Sequence, residues 1–176
     1  MRYQGVFTAL VAPMRDGELD RESVKNLVDV QLAAEVHGLV VNGTTGEAAT
    51  LTDDEQATLV ELVQERVEGR IPVIAGVGTN NTAVTIERAR RMAGLGVDGL
   101  LVVTPYYNKP SQRGLAEHFR AVAGAVSTST SVCLYNVPSR TSVSLDPETI
   151  EALAVLPNVD AIKEATTDML RASRVI

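Results

Sequence analysis

The stretch VDAIKEAT, at residues 159–166, is typical of a short strand and carries one lysine where its apolar run stops. Side chains alternate between the two faces of a strand, so Val159, Ala161 and Lys163 are predicted to share one face. An ammonium group directed into a tight interior loses hydration, which lowers the pKa of the amine and makes it available as a nucleophile. The alternative is a lysine at a strand end that points into solvent. The strand by itself favours the solvent-facing lysine, and the rest of the chain reverses that preference.

Other strand-like apolar stretches alternate with helical patterns through the rest of the chain. Five strands are predicted before the lysine strand, at residues 5–13, 38–42, 71–78, 97–105 and 131–138. Helices are predicted between them, at residues 20–36, 52–69, 82–94 and 114–126, and two more begin near residues 146 and 168. Asp20 and the Thr52–Glu55 pair supply N-terminal caps for two of these helices. An alternation this regular predicts a parallel β-sheet.

The sheet is predicted to belong to a (β/α)₈ barrel, or TIM barrel, rather than to an open doubly wound sheet. No strand is followed by a G-x-G-x-x-G loop, since the segment GVG at residues 76–78 lacks the third glycine. Polar residues instead follow several strands in succession, where a barrel gathers its active site. Residues 1–176 are therefore predicted to form a single domain. A complete barrel has eight strands and commonly ~250 residues, so only about the first six βα units are expected here.

The composition argues against several classes of function. The chain has 176 residues, of which 45% are hydrophobic, and a formal net charge of −6, so nucleic-acid and anionic-membrane binding are not expected. No apolar run approaches the roughly 18 residues of a membrane span, and the N-terminus lacks the pattern of a signal peptide. The single cysteine, Cys133, fits a reducing, cytoplasmic location. His37 and His118 lie apart from any ligand cluster, and neither a metal nor a cofactor is predicted.

Three polar segments at the ends of predicted strands are candidate partners for Lys163. They are GTTGE at residues 43–47, YYNKPS at residues 106–111 and YNVPSR at residues 135–140. The hydroxyls and N–H groups of the first segment suit a carboxylate, and an inward Tyr135 beside the lysine can shuttle protons. Arg140 has the fork of donors that grips a carboxylate. Each segment also has a plainer interpretation, as an ordinary loop, as packing or interface tyrosines, or as a core tyrosine.

The motifs GTTGE, TPYYNKPSQ, YNVPSRT and IKEAT, in this order and spacing, resemble the dihydrodipicolinate synthase family. This family belongs to the pyruvate-dependent class I aldolases, which also include N-acetylneuraminate lyase. The resemblance covers essentially the whole chain, and TPYYNKP together with the arginine of YNVPSRT points most narrowly to the synthases. It implies a homo-oligomeric lyase, a dimer of dimers, that condenses pyruvate with L-aspartate 4-semialdehyde to 4-hydroxy-tetrahydrodipicolinate in lysine and diaminopimelate biosynthesis.

The resemblance also implies catalytic roles for single residues. Lys163 is implied to form a Schiff base with pyruvate, with the phenol of Tyr135 above the imine. Thr45 is implied to link Tyr135 to Tyr107 in a proton relay, and Tyr107 is implied to reach in from a neighbouring subunit. An imine acts as an electron sink and lets the pyruvate methyl group lose a proton. A relay of hydroxyls then serves several proton transfers in turn.

Substrate binding is implied for the threonines at 44–45 and for Arg140. Thr44 and Thr45 are implied to hold the pyruvate carboxylate, and Arg140 the carboxylate of aspartate semialdehyde. The runner-up function is a sister aldolase that cleaves a sugar keto-acid, against which Arg140 and Tyr107 argue. The rival from another class is a truncated, non-catalytic paralogue, which the short chain supports.

Three positions depart from the pattern of the lysine-inhibited members. Those members tend to have histidine at the positions of Asp53 and Gln56 and glutamate at that of Val84. Feedback inhibition by lysine is therefore expected to be weak or absent. The polypeptide of 176 residues is expected to lack activity by itself, because the strands and helices that would close its barrel are not in it.

Overall fold

The computed structural model describes residues 3–175, which contain a parallel sheet of six strands. The strands are β1 (Phe7–Ala9), β2 (Gly38–Val41), β3 (Val73–Gly76), β4 (Gly99–Val103), β5 (Ser131–Asn136) and β6 (Val159–Glu164). They lie in the sheet in the order of the chain, and each pairs in parallel with the next. The predicted parallel sheet is confirmed, with strands one to six residues shorter than the patterns suggested.

Helices follow the strands of the sheet. Those described are α1 (Arg21–Ala33), α2 (Asp53–Val67), α3 (Thr82–Gly94), α4 (Gln112–Ala123), α5 (Pro138–Thr141), α6 (Pro147–Ala154) and α7 (Met169–Val175). The predicted caps are confirmed at α1, where the Asp20 side chain accepts from the Ser23 N–H, and at α2, where Thr52 and Glu55 form a reciprocal capping box. None of the helices described within residues 3–175 combines the length and the apolar character of a membrane span.

The two faces of the sheet pack into two different clusters. The outer face meets the helices, whereas the inner face packs against itself. The outer cluster includes Leu39, Val73, Leu100 and Val132, and the inner one includes Val40, Ile74, Leu101 and Cys133. The longer helices also touch one another in chain order, from α1 to α4 and then through α6 to α7. A single layer of helices on one face indicates a barrel, since an open doubly wound sheet carries helices on both faces. The predicted barrel fold is confirmed for its first six strands.

A short hairpin was missed by the strand predictions. Residues Met14–Arg15 pair in antiparallel fashion with Glu18–Leu19. The two residues between them, Asp16 and Gly17, both have positive φ, at 53° and 86°. Asp-Gly is the preferred pair for such a turn, because both central residues of a type I′ turn need φ > 0. The signal was therefore present in the sequence, but the flanking strands are too short to show an alternating pattern.

The prediction that Val159 shares a face with Ala161 and Lys163 is wrong. The pairing of β5 with β6 shifts register between Val132 and Cys133, which pair with Val159 and Ala161. One extra residue, Asp160, is thus accommodated in β6, and a bulge of this kind changes the face of the side chains beyond it. Val159 packs with the outer cluster, whereas Ala161 packs with the inner one.

Both ends of the sheet are open within residues 3–175. β1 pairs with β2 alone, and β6 with β5 alone. On α7, which follows β6, Met169 and Leu170 are 75% and 79% exposed. Unpaired strand edges next to exposed apolar side chains promote pairing with other chains. That residues 1–176 form one domain, incomplete at its C-terminal end, stays a prediction.

Residues 1–176 produced as an isolated polypeptide are expected to self-associate or to unfold without cooperativity. Each buried backbone group left unpaired costs about 1–3 kcal/mol, and a domain has only about 5–15 kcal/mol of stability to lose. Light scattering coupled to gel filtration and a urea unfolding curve provide the measurement. A monomer with a single steep unfolding transition would contradict this expectation.

Candidate active site

A cleft of about 390 Å³ opens at the carboxyl ends of the strands. Loops after β2, β3, β4 and β5 all contribute to it, and the residues that line it include Thr44, Glu47, Gly78, Tyr106, Tyr135 and Arg140. This is the end of the sheet at which barrel enzymes assemble their active sites from successive loops. The structure therefore brings most of the predicted polar segments together.

Lys163 and Tyr135 are direct neighbours across β5 and β6. They are paired residues in the register of the two strands, and both belong to the inner side of the sheet. The Lys163 ammonium lies over the Tyr135 ring, with Nζ 4.6 Å from the ring centroid. A cation at this distance from an aromatic face is attracted by the negative potential of the ring. Lys163 is half-buried rather than solvated, and Tyr135, which is buried, connects it to the cleft.

The hydroxyl that meets Tyr135 belongs to Thr44 rather than to Thr45. Thr44 Oγ1 lies 3.5 Å from the Tyr135 hydroxyl, at the outer limit of a hydrogen bond. The two threonines lie in a 3₁₀ turn, Thr44–Gly46, in which each residue is rotated by about a third of a turn from the one before. That rotation directs neighbouring side chains differently, and among residues 3–175 it is Thr44 that lines the cleft. The prediction that Thr45 makes the contact with Tyr135 is therefore corrected.

The two tyrosines after β4 have different environments. Tyr106 lines the cleft, whereas the Tyr107 side chain is 87% exposed and its backbone has a φ of +70°. Two hydrogen bonds of Asn108 fix the loop, one from its N–H to the Tyr106 carbonyl and one from its side chain to the Asn80 carbonyl. Within residues 3–175, Tyr107 does not line the cleft that holds Tyr135 and Thr44. A single chain therefore does not bring Tyr107 to the other predicted catalytic residues.

Arg140 lies at the mouth of the cleft on the short helix α5. Pro138 begins this helix, where a missing N–H and a fixed φ are both tolerated. Thr141, which ends it, donates from its hydroxyl to the carbonyls of Val137 and Val143. The exposed guanidinium of Arg140 is thus carried by an anchored turn that directly follows the strand of Tyr135.

The glycines at 76 and 78 are required by close backbone contacts. A Cβ on Gly76 would lie 1.9 Å from the Asn42 carbonyl oxygen, and one on Gly78 would lie 2.4 Å from the Val103 nitrogen. The backbone at Asn42 and at Val103 cannot move away without disturbing β2 or β4. The glycines of the segment GVG therefore allow the backbone after β2 and the end of β4 to pack closely against it. This packing explains the glycines without a phosphate-binding role.

Asn42 and Arg88 also line the cleft, although neither belongs to the predicted polar segments. Asn42 directly follows β2, has a φ of +55° and donates from its side chain to the Gln56 carbonyl. An asparagine directly after an apolar strand was the available signal, since asparagine tolerates this conformation. Arg88 gave no signal, because the sequence does not show which face of α3 meets α2.

Two of the three positions linked to lysine inhibition, Asp53 and Gln56, make side-chain contacts within the chain. Arg88 Nη2 lies 2.6 Å from Asp53 Oδ1. The Gln56 side chain is buried and donates to the carbonyls of Ala48 and Leu51. These groups are already engaged, which agrees with the expectation of weak lysine inhibition. That expectation stays a prediction.

Two titratable side chains lie outside the cleft and are buried. Burial raises the pKa of the Cys133 thiol to about 11, so the thiol remains protonated at neutral pH. Burial lowers the pKa of His118 to about 4, and its Nδ1 lies 2.9 Å from the Thr82 hydroxyl, which joins α4 to α3. Among residues 3–175, no group of three histidine, cysteine or acidic side chains is placed to hold a metal ion.

A family model described as the dihydrodipicolinate synthetase family matches residues 2–176. The chain belongs to this family. Members of the family that resemble it include the 4-hydroxy-tetrahydrodipicolinate synthase of Phenylobacterium zucineum, which is 50% identical over 171 residues. That alignment covers 97% of this chain and 58% of the relative.

Solved structures of the family have the same fold. Dihydrodipicolinate synthase from Thermotoga maritima superposes with a TM-score of 0.96 at 45% identity, covering 99% of this chain and 59% of that one. A monomeric dihydrodipicolinate synthase variant gives the same TM-score and identity over 99% of this chain and 58% of its own. The chain thus spans about three fifths of the length of these relatives.

Proposed function

We propose that the natural protein condenses pyruvate with L-aspartate 4-semialdehyde to form 4-hydroxy-tetrahydrodipicolinate. The observation that carries this proposal is the contact of Lys163 with Tyr135 at the end of a cleft that also presents Thr44 and Arg140. Relatives at 45–52% identity are named as this synthase, which supports the same chemistry. No metal or dissociable cofactor takes part in the proposed reaction.

The first proposed step is the formation of an imine on Lys163. The lysine amine attacks the ketone carbon of pyruvate, and loss of water leaves a C=N bond to Nζ. Nearby oxygen groups have to exchange protons with the substrate oxygen that leaves as water. Tyr135 is the buried phenol in contact with the lysine, so we assign this exchange to its hydroxyl.

The second proposed step forms the new carbon–carbon bond. The protonated imine withdraws electrons, so the methyl group loses a proton and becomes an enamine. The enamine carbon attacks the aldehyde carbon of the semialdehyde, and the aldehyde oxygen takes up a proton to become a hydroxyl. Thr44 contacts the Tyr135 hydroxyl and can pass protons to and from it. The amino group of the second substrate then displaces Lys163 from the imine carbon and closes the ring.

The carboxylates of the two substrates are assigned to different parts of the cleft. The turn at Thr44–Gly46 offers hydroxyls and backbone N–H groups near Tyr135, and we assign it the carboxylate of pyruvate. Thr45 is retained for this binding role alone. Arg140, at the mouth, is assigned the carboxylate of the semialdehyde, because a guanidinium binds carboxylates through two parallel hydrogen bonds.

We also propose a cytoplasmic homo-oligomer, a dimer of dimers, in which Tyr107 completes the relay of a neighbouring subunit. Its side chain is exposed and lies on a loop held by Asn108. An exposed tyrosine with a fixed backbone suits insertion into a partner. One solved relative is described as a monomeric variant.

Lys163 is expected to carry the only lysine adduct when the natural protein is treated with pyruvate and borohydride. Borohydride reduces an imine to a stable secondary amine, so peptide mass spectrometry identifies the modified lysine. Lys163→Arg should abolish the adduct. Lys25→Arg, which changes a lysine paired with Glu65 on the helical layer, should leave it intact. An adduct that persists in Lys163→Arg would refute the assignment of the imine to Lys163.

Thr44→Val is expected to lower kcat on the order of 10²-fold, because the isosteric change removes the hydroxyl that contacts Tyr135. Thr45→Val should cost much less, since the rotation of the turn directs its side chain elsewhere. Steady-state rates of the two variants, measured side by side, give the comparison. A larger loss in Thr45→Val would restore Thr45 to the relay.

Arg140→Ala is expected to reduce kcat/KM for aspartate semialdehyde by roughly 10- to 150-fold, as loss of a charge-assisted hydrogen bond predicts. Imine formation with pyruvate should change little, because Arg140 lies at the mouth of the cleft. Arg120→Ala, which removes an arginine paired with Glu117 on the surface of α4, is the control. Equal damage to both steps would show that Arg140 organises the pyruvate site instead.

A further inference from the structure

A second pair of polar side chains lies directly behind Tyr135 and Lys163. Asn136 follows Tyr135 on β5, and Glu164 follows Lys163 on β6, so the two pairs occupy adjacent rungs of the same ladder. Since side chains alternate along a strand, this second pair lies on the outer, helix-covered side. Asn136 Nδ2 donates to Glu164 Oε1 at 2.7 Å, a short hydrogen bond that joins the two strands.

Asn136 is completely buried, and its side chain makes hydrogen bonds to other residues besides Glu164. Its Oδ1 accepts from the Leu145 N–H at 3.0 Å, and its Nδ2 also lies 3.4 Å from Ser144 Oγ. The Ser144 carbonyl in turn accepts from the Gln112 side chain, at the beginning of α4, at 2.7 Å. The asparagine is therefore fixed relative to the helical layer, and it presents one N–H to β6.

Glu164 is connected to the last helix on its other side. Its Oε2 lies 3.4 Å from Arg171 Nε of α7, and the two side chains are 11% and 14% exposed. Burial of a carboxylate costs free energy unless it is paired with a cation and accepts hydrogen bonds. Arg171 supplies the charge, and Asn136 supplies a donor from a different strand.

The register in which β6 pairs with β5 decides which face of the sheet Lys163 occupies. The bulge at Asp160 separates a lower part of the pairing, at Val132 and Val159, from an upper part that begins at Cys133 and Ala161. A slip of one residue in the upper part would turn Lys163 to the outer face. In the part of the chain that the structure describes, β6 pairs with β5 alone.

We infer that the Asn136–Glu164 hydrogen bond is a positioning device, which fixes the upper register of β6 and thereby holds the Lys163 amine over the Tyr135 ring. Its meaning for catalysis rests on the function proposed above. Neither side chain touches the substrate in this assignment. Both act on the reaction through the strand residues next to them.

The test compares two substitutions of Glu164 that both remove the charge facing Arg171. Glu164→Gln keeps an oxygen that accepts from Asn136, whereas Glu164→Met fills a similar volume and accepts nothing. Asn136→Asp sets two carboxylates against each other, and its combination with Glu164→Gln restores the hydrogen bond with the donor on the other strand. Asp at 136 still accepts from the Leu145 N–H.

The first readout is the rate of pyruvate imine formation at Lys163, trapped with borohydride in the natural protein. Pairs of this kind couple by about 2- to 150-fold. Glu164→Met and Asn136→Asp are expected to slow trapping at least about tenfold, and the Asn136→Asp/Glu164→Gln double variant to recover most of the loss. The trapping rate of Glu164→Gln should stay within about threefold of the rate of the unaltered protein. Equal rates in Glu164→Met and Glu164→Gln, or a double variant slower than Asn136→Asp, would overturn the inference.

The second readout does not depend on pyruvate, so it separates this inference from the proposed function. Formaldehyde and cyanoborohydride methylate exposed amines, and mass spectrometry gives the rate at Lys163 relative to Lys25. Glu164→Met is expected to change this ratio several-fold over pH 6–9, whereas Glu164→Gln should not. A general loss of structure would alter both lysines together, and it would also lower the melting temperature. An unchanged ratio in folded Glu164→Met would refute the positioning role even if the unaltered protein forms no imine.

Discussion

The sheet must bury both of its faces, and most of the molecule is organised by this constraint. All residues of β2, β3 and β5 are buried, and those of β4 nearly so. Apolar side chains therefore occupy both faces, one set against the helices and one against the barrel interior. A polar side chain in the middle of such a strand would be buried on either face, which costs free energy unless it is hydrogen-bonded. Polar groups appear where the strands end, which is why the candidate active site lies there.

The inner face changes character along β5 and β6. Cys133 and Ala161 are small or apolar, and on the next inward rung Tyr135 and Lys163 meet as a ring and an ammonium. The outer face changes at the same level, from Leu134 and Ile162 to the hydrogen-bonded pair Asn136 and Glu164. The polar side chains at the inner end of the two strands thus lie opposite a hydrogen-bonded pair of polar side chains on the outer face. A strand end with polar groups on both faces needs this anchoring, because apolar packing no longer holds it.

The helical layer and the loops place the remaining groups. The 3₁₀ turn after β2 sets Thr44 against Tyr135, and α5 carries Arg140 to the mouth of the cleft. Asp53 and Arg88 tie α2 to α3 beside the cleft. These connections come from residues far apart in sequence. They make the shape of the cleft a property of several helices and not of any single motif.

The sequence by itself determined the alternation of elements, the helix caps and the polar strand ends, because periodicity and capping act over a few neighbouring residues. It also determined the family, through motifs whose order and spacing were visible in the chain. The tertiary structure decided which threonine meets Tyr135, that Val159 turns outward, that Tyr107 faces solvent and that Asn136 pairs with Glu164. Each of these depends on strand register, on the rotation of one turn or on contacts between distant segments. Such features are fixed only when the whole core packs, so no local pattern encodes them.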